Sequence, residues 1–322
     1  MITVNTGPNG QIMLTYRCSA ACRHCLVMSA PDQNPSLVSI DDGTRYAAEF
    51  HQLGRLVMIA GGEALLFFDH VLEMCRRISG TGLAVDFIES NGSWCGSDEL
   101  VVERLSLLQE AGVQGMFFSL DAFHQEFIPA ERVCRGIRIA REIFGDHRVS
   151  APRMTDEEAK DLEGVVHDPR RFSAYLRDRR ICLVGRAADE VARFCDLNPL
   201  SELAKENCRG ELDIDELHEV QVDPFGFVRP DLCPGVNLGS AREASLVELM
   251  RTQRVKETPL LNALAESGPA SLLPLARKHG FSPKPAYASK CALCFEIRRH
   301  LVDRMPAEFG PPHLYRHCRD SC

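Results

Sequence analysis

No apolar run in this sequence approaches the roughly 18–20 residues that a membrane-crossing helix needs, so no transmembrane segment is read. The start, MITVNTGPNG, lacks a basic region leading into an apolar core and so does not read as a secretory signal. Positive charge is short as well: 37 Lys and Arg stand against 45 Asp and Glu, a formal net charge of −8. That balance argues against a nucleic-acid binder working through a basic field. Internal repeats and low-complexity segments are also missing. The expectation is a soluble cytoplasmic protein with no membrane and no nucleic-acid partner. Its 322 residues allow one large domain, or one medium and one small.

Cysteine is plentiful, with 14 residues. In a reducing compartment these read first as metal ligands, catalytic groups or small buried hydrophobes, and last as disulfides. The stretch YRCSAACRHC (16–25) packs Cys18, Cys22 and Cys25 together. Three is an odd count for disulfides, and zinc usually requires a fourth ligand nearby. The second concentration is Cys208, Cys233, Cys291, Cys294, Cys318 and Cys322, while Cys75, Cys95, Cys134, Cys182 and Cys195 are scattered between.

Short apolar runs alternate with helical patterns through the first two-thirds. Strands are expected at 11–16, 55–60, 83–90, 115–120, 147–150 and 181–185. Helices are expected at 39–54, 68–80, 97–112 and 131–145, with Ser39 as an N-cap and Gly54 as a stop, and residues 156–166 read as a charged helix or loop. Such units predict parallel strands joined by right-handed crossovers, in an open sheet or a barrel. About six units precede residue 190, too few for an eight-stranded barrel. Residues 219–230 read as a hairpin around Asp223-Pro224-Phe225-Gly226, and 245–250 starts a short helix. From 268 onward few regular elements are expected. A small domain with little core is often held by metal.

Thiolate clusters suit iron–sulfur centres. Three cysteines on one loop can wrap three corners of a [4Fe–4S] cubane and leave one iron open. The spacing C-x3-C-x2-C after a first strand resembles the radical S-adenosylmethionine (SAM) superfamily. Four further segments fall in register with that family. They are AGGEAL with Gly61, Gly62 and Glu63, ESNGSW with Asn91, FSLDAFHQE with Ser119 and Asp121, and VGRAAD with Arg186. The resemblance spans roughly residues 11–190 and departs from the family at His24, where an aromatic is usual. It implies a partial (β/α)6 TIM-like barrel over residues 1–200, holding a [4Fe–4S] cluster on Cys18, Cys22 and Cys25. The open iron would chelate the amino and carboxylate groups of SAM. Gly61, Gly62 and Glu63 would hold the methionine amino group, Asn91 would lie at the barrel mouth, Ser119 and Asp121 near the ribose, and Arg186 near the carboxylate. Flavodoxin or ferredoxin is the electron donor that the family implies. The alternatives are a zinc site or three unrelated thiols.

Residues 201–322 read as a small, irregular, cysteine-rich domain. Cys208, Cys233, Cys291 and Cys294 resemble the SPASM and twitch extensions of radical SAM enzymes, which hold auxiliary [4Fe–4S] clusters. The full SPASM pattern has more cysteines, and His300 stands where another would fall, so one twitch-like cluster is read. Zinc on the same four residues is the alternative, and Cys318 with Cys322 is either a second ligand pair or a loose tail. His124 is a candidate for moving a proton, or orients Glu126; Cys95 could donate a hydrogen atom to a substrate radical, or is a small buried residue. Cys75, Cys134 and Cys182 read as core, and Cys195 is a minor alternative to Cys208 as a ligand. His218, His279, His313 and His317 suggest no partner.

The function implied is reductive cleavage of SAM to a 5′-deoxyadenosyl radical and hydrogen abstraction from a substrate, first of all a peptide. Only 17 residues precede Cys18, which leaves no room for a separate leader-binding domain there. The alternatives are an oxidoreductase or carbon–carbon bond former acting on a small molecule, and a non-catalytic iron–sulfur carrier.

Overall fold

Apolar runs followed by amphipathic helices become parallel strands and their crossovers in the computed structural model, which describes residues 8–177, 179–212, 219–251 and 258–316. The chain divides into two compact units, Met1–Cys22 with Ser29–Arg180, and Arg23–Met28 with Ile181–Cys322.

In the first unit, strands β1 (Asn9–Met13), β2 (Leu56–Ala60), β3 (Phe87–Ser90), β4 (Met116–Phe118) and β5 (Val149–Ser150) lie in the order β5-β4-β3-β2-β1. All four pairings are parallel. One register row runs across the sheet through Ile12, Ile59, Ile88, Met116 and Val149. All five side chains are buried. Burying each stabilises the fold by about 1.5–3 kcal/mol relative to exposure. A parallel sheet is covered on both faces, which accounts for the continuous apolar runs.

The crossovers are α1 (Ile40–Gln52), α2 (Phe68–Ser79), α3 (Asp98–Glu110) and α4 (Ala130–Phe144), followed beyond β5 by α5 (Asp156–Asp161) and α6 (Pro169–Arg177). Their starts follow from local chemistry. The Ser39 hydroxyl accepts from the Asp42 N–H at 3.1 Å and the Ser97 hydroxyl from the Leu100 N–H at 3.3 Å. Thr155 and Glu158 form a reciprocal capping box.

The second unit contains the expected hairpin, Glu219–Val222 paired antiparallel with Phe227–Pro230, and Gly239–Ser240 on its outer edge. Asp223 makes the turn: its Oδ1 accepts from the N–H groups of Phe225 and Phe227, both at 2.9 Å. Gly226, at φ 87°, supplies the left-handed position.

Two expectations differ from what forms. Ile181–Gly185 makes no strand, so the described residues carry five parallel strands where six were expected. A short apolar run cannot be told from buried coil by periodicity alone. Residues 290–301, expected to be irregular, form a 12-residue helix, Lys290–Leu301, capped by Ser289. Among the described residues no helix is long and apolar enough to cross a membrane.

Candidate functional site

The loops that follow the parallel strands of the first unit carry the motif residues, as parallel α/β folds place them. After β2, the Gly62 N–H donates to the Thr15 carbonyl at 2.7 Å and the Glu63 N–H to the Arg17 carbonyl at 2.9 Å. A Cβ at Gly62 would lie 2.1 Å from the Arg17 carbonyl oxygen, and one at Gly61 would lie 2.8 Å from that of Thr15. The glycine pair therefore closes on the backbone leading into Cys18.

Glu63 is buried at the first turn after β2. Its carboxylate accepts from the Leu65 N–H at 3.1 Å, the Asn91 N–H at 2.7 Å and the Ser90 hydroxyl at 3.1 Å. Burial pushes its pKa up to about 7, against the pull of those hydrogen bonds and of His124. The Ser90 hydroxyl also accepts from the Gly92 N–H at 3.0 Å and the Trp94 indole N–H at 2.9 Å. Glu63 thus pins the turn after β3, and the next link is Asn91. Its Nδ2 donates to the Cys18 sulfur at 3.4 Å and to the Ser19 hydroxyl at 3.1 Å. The Ala20 N–H reaches the same sulfur at 3.4 Å. The structure so joins Glu63, Asn91 and Cys18 in one network, with neutral donors on the sulfur. Cys22 is buried in the same loop.

After β4, the Ser119 N–H donates to the Ser90 carbonyl at 3.0 Å, locking this loop to the Asn91 turn. Asp121 caps the next turn: its Oδ1 accepts from the N–H groups of Phe123 at 2.9 Å and His124 at 3.1 Å. Its Oδ2 lies 2.7 Å from His124 Nδ1. Burial works against a charged His124, but the Asp121 charge and hydrogen bond outweigh it and leave its pKa raised. Tyr175 of α6 closes the loop, its hydroxyl accepting from the Ala122 N–H at 3.2 Å. Cys95 is fully buried, and a Cβ on Gly136 of α4 would sit 2.7 Å from its sulfur. Burial pushes that thiol up to about 12. This packing matches the small-buried-residue reading of Cys95.

In the second unit, the Arg186 N–H donates to the Cys25 carbonyl at 3.0 Å. Gly185, at φ 58°, makes this possible, since a Cβ there would lie 2.4 Å from the carbonyl oxygens of Cys25 and Leu26. The Arg186 side chain is buried.

Elsewhere in that unit Cys208, Cys233, Cys291 and Cys294 are electrostatic neighbours. Cys182, expected to be a core residue, joins them. It is an electrostatic neighbour of Cys291 and Cys233, and its S–H donates to the Leu232 carbonyl at 3.5 Å. The apolar run around it gave no sign of this. Cys182 beside it lowers the Cys291 pKa, while burial raises those of Cys233 and Cys294 and pushes Cys208 up to about 12. Lys290 and Arg298, on the helix that carries Cys291 and Cys294, lower the charge cost of this set. Sequence reasoning missed both cations, although their positions one residue before Cys291 and four after Cys294 flank the C-x2-C pair. Cys195 does not stand in for Cys208: its sulfur bonds the Val191 carbonyl of its own turn. His300 is tied to the His279 carbonyl at 2.9 Å. Cys318, Cys322, His218 and His317 lie outside the described residues.

Residues 12–164 match the family model described as the radical SAM superfamily. Over that span the chain is similar to a radical SAM domain. Such a domain implies an enzyme with a [4Fe–4S] cluster and SAM, a reductant and a substrate. Among solved structures, BtrN in complex with AdoMet and 2-DOIA aligns at 14% identity and TM-score 0.45, covering 81% of this chain and 88% of that one. Streptococcus suis SuiB bound to S-adenosylmethionine aligns at 15% identity and TM-score 0.43, covering 96% of this chain and 75% of that one. No curated protein matches the chain in sequence.

Proposed function

We propose that the chain is a radical SAM enzyme with two iron–sulfur sites, one on Cys18, Cys22 and Cys25 and an auxiliary one on Cys208, Cys233, Cys291 and Cys294. The observation that carries the first site is the network from Glu63 through Asn91 to the Cys18 sulfur. It joins two motif segments to the first thiol through neutral donors, and such hydrogen bonds are one of the means by which proteins tune cluster potentials. When bound, the cluster and SAM would supply the radical chemistry for taking a hydrogen atom from substrate.

The chain's own residues hold and shape the site. Gly62 and Glu63 fix the entry to the cysteine loop through their backbone N–H groups. Asn91 sets the Cys18 side chain. Asp121 holds His124 through its Nδ1, and an imidazole so oriented is suited to moving a proton.

The wide spacing of the second thiol set favours a cluster over zinc. Among the described residues no three of those sulfurs lie within 4.8 Å of one another. A tetrahedral zinc about 2.3 Å from each thiolate would hold them within about 3.8 Å. A cubane carries its thiolates on separate corners and spans more. The peptide reading of the substrate, and a flavodoxin or ferredoxin donor, rest on the likeness of the cysteine patterns to those of SPASM and twitch enzymes.

The test is electron paramagnetic resonance of the anaerobically reconstituted, reduced protein with and without SAM, with a 5′-deoxyadenosine assay. A SAM-dependent change in the [4Fe–4S] signal is expected, absent from the Cys18→Ala/Cys22→Ala/Cys25→Ala variant. An unchanged spectrum with no 5′-deoxyadenosine would overturn the reading.

A further inference from the structure

Two arginines of the second unit are wholly buried, and they differ in what balances them. Arg229 faces Asp223, whose carboxylate is 3.4 Å away and equally buried. Arg298, 1% exposed, has no carboxylate at ion-pair distance among the described residues. Its Nη1 donates to the Pro234 carbonyl and, at 3.1 Å, to the Tyr315 hydroxyl. Cys294 is an electrostatic neighbour of the guanidinium, whose Nε is buried without an acceptor. The rings of Phe295 and Tyr315 flank it, their centroids 5.8 and 5.7 Å from the guanidinium carbon.

A guanidinium cannot shed its proton to escape burial, and carbonyls and aromatic faces do not cancel a unit charge in a low dielectric. Left alone, such a cation is strongly destabilising. The Tyr315 phenol is no counter-anion, because burial pushes its pKa up to about 12. What remains facing Arg298 is the pair Cys233 and Cys294. Arg298 sits one helical turn beyond Cys294 on the same face. The other cation of that helix, Lys290, is balanced by Glu211 at 2.9 Å.

We infer that Arg298 is the counter-cation of the metal cluster bound by Cys208, Cys233, Cys291 and Cys294, and that it sets that cluster's reduction potential. The inference rests on the auxiliary site proposed above. Four thiolates around a [4Fe–4S] core give an anion that gains a further negative charge on reduction. A fixed cation beside two of the ligands stabilises the reduced form more than the oxidised one, and so raises the potential.

The test uses the full chain in the Cys18→Ala/Cys22→Ala/Cys25→Ala background, so that only the second site is read. Iron content, potentiometric titration and the melting temperature with and without the cluster are measured for Arg298, Arg298→Lys and Arg298→Met. The expected result is a potential shifted to more negative values in Arg298→Met and much less so in Arg298→Lys, with iron retained in both. Metal-free Arg298→Met should melt above the metal-free parent, because an unbalanced buried charge has gone, and should gain less on loading. An unmoved potential at full iron overturns the inference. So does an equal loss of stability with and without the cluster, which would make Arg298 a packing residue. Background protein that takes up no iron overturns the auxiliary site itself, a failure the iron count reports separately.

Discussion

The two thiol regions are held by different means. In the first unit the segment around Cys18 is fixed by backbone: Gly62 and Glu63 clasp Thr15 and Arg17, and the sulfur receives the neutral donors Asn91 Nδ2 and the Ala20 N–H. In the second, the thiols come from separate segments, and cations on the helix Lys290–Leu301 offset their charge. Neutral donors favour an anionic cluster less than a buried cation does, because a full charge acts through a low dielectric. The contrast therefore predicts a lower potential at the first site than at the second, the order in which an electron would be released to SAM at one and accepted at the other.

The largest expected effect comes from removing the backbone clasp. In Gly62→Ala the new Cβ would meet the Arg17 carbonyl oxygen at 2.1 Å and its carbon at 2.5 Å, both backbone atoms that cannot swing aside. Overpacking of this kind costs about 1–3 kcal/mol, occasionally more. Denaturant titration should show that loss, and the SAM-responsive signal should disappear while iron at the second site stays. A loaded first site with wild-type response would show that the clasp is dispensable.

Glu63→Gln sharpens the same point through pH. The buried carboxyl is raised from 4.5 to about 7 in the folded chain. A raised acid pKa means that the folded state holds its proton longer, so this contribution is complete below the unfolded value and is lost as pH rises through the folded one. The wild type should lose about 3 kcal/mol of stability between roughly pH 4.5 and pH 8 from this group. Glu63→Gln should lack that component. It should also be less stable near neutral pH by about 1–3 kcal/mol, since an amide N–H₂ would face one of the donors that the carboxylate now satisfies. Equal pH slopes in the two proteins would remove Glu63 as the titrating group.

What the sequence makes legible follows from how local each feature is. The C-x3-C-x2-C loop, the Gly-Gly-Glu turn and the Asp223 hairpin are each encoded within a dozen residues, and all are found on the elements expected. The sequence reading named Glu63, but its place as the buried anchor of the Asn91 turn was not legible, because that depends on how β2 and β3 pair. Arg298 and Cys182 were illegible for the same reason. An arginine on a charged helix and a cysteine in an apolar run look ordinary until tertiary packing buries the one without a carboxylate and sets the other against Cys291.

Cys182 provides the smallest and most discriminating effect. Five thiols meet in the second unit, one more than a closed cubane takes. Its sulfur is the one that donates to a carbonyl oxygen, the Leu232 carbonyl at 3.5 Å, a position suited to S–H and repulsive to a thiolate. Cys291 and Cys294 instead share their helix with Lys290 and Arg298. Cys182→Ala should therefore keep the iron of the second site, whereas Cys291→Ala should lose it. The potential should move less than in Arg298→Met, because a neutral thiol has been removed where the other change removes a charge. Loss of iron in Cys182→Ala would instead make Cys182 a ligand and release one of the other four.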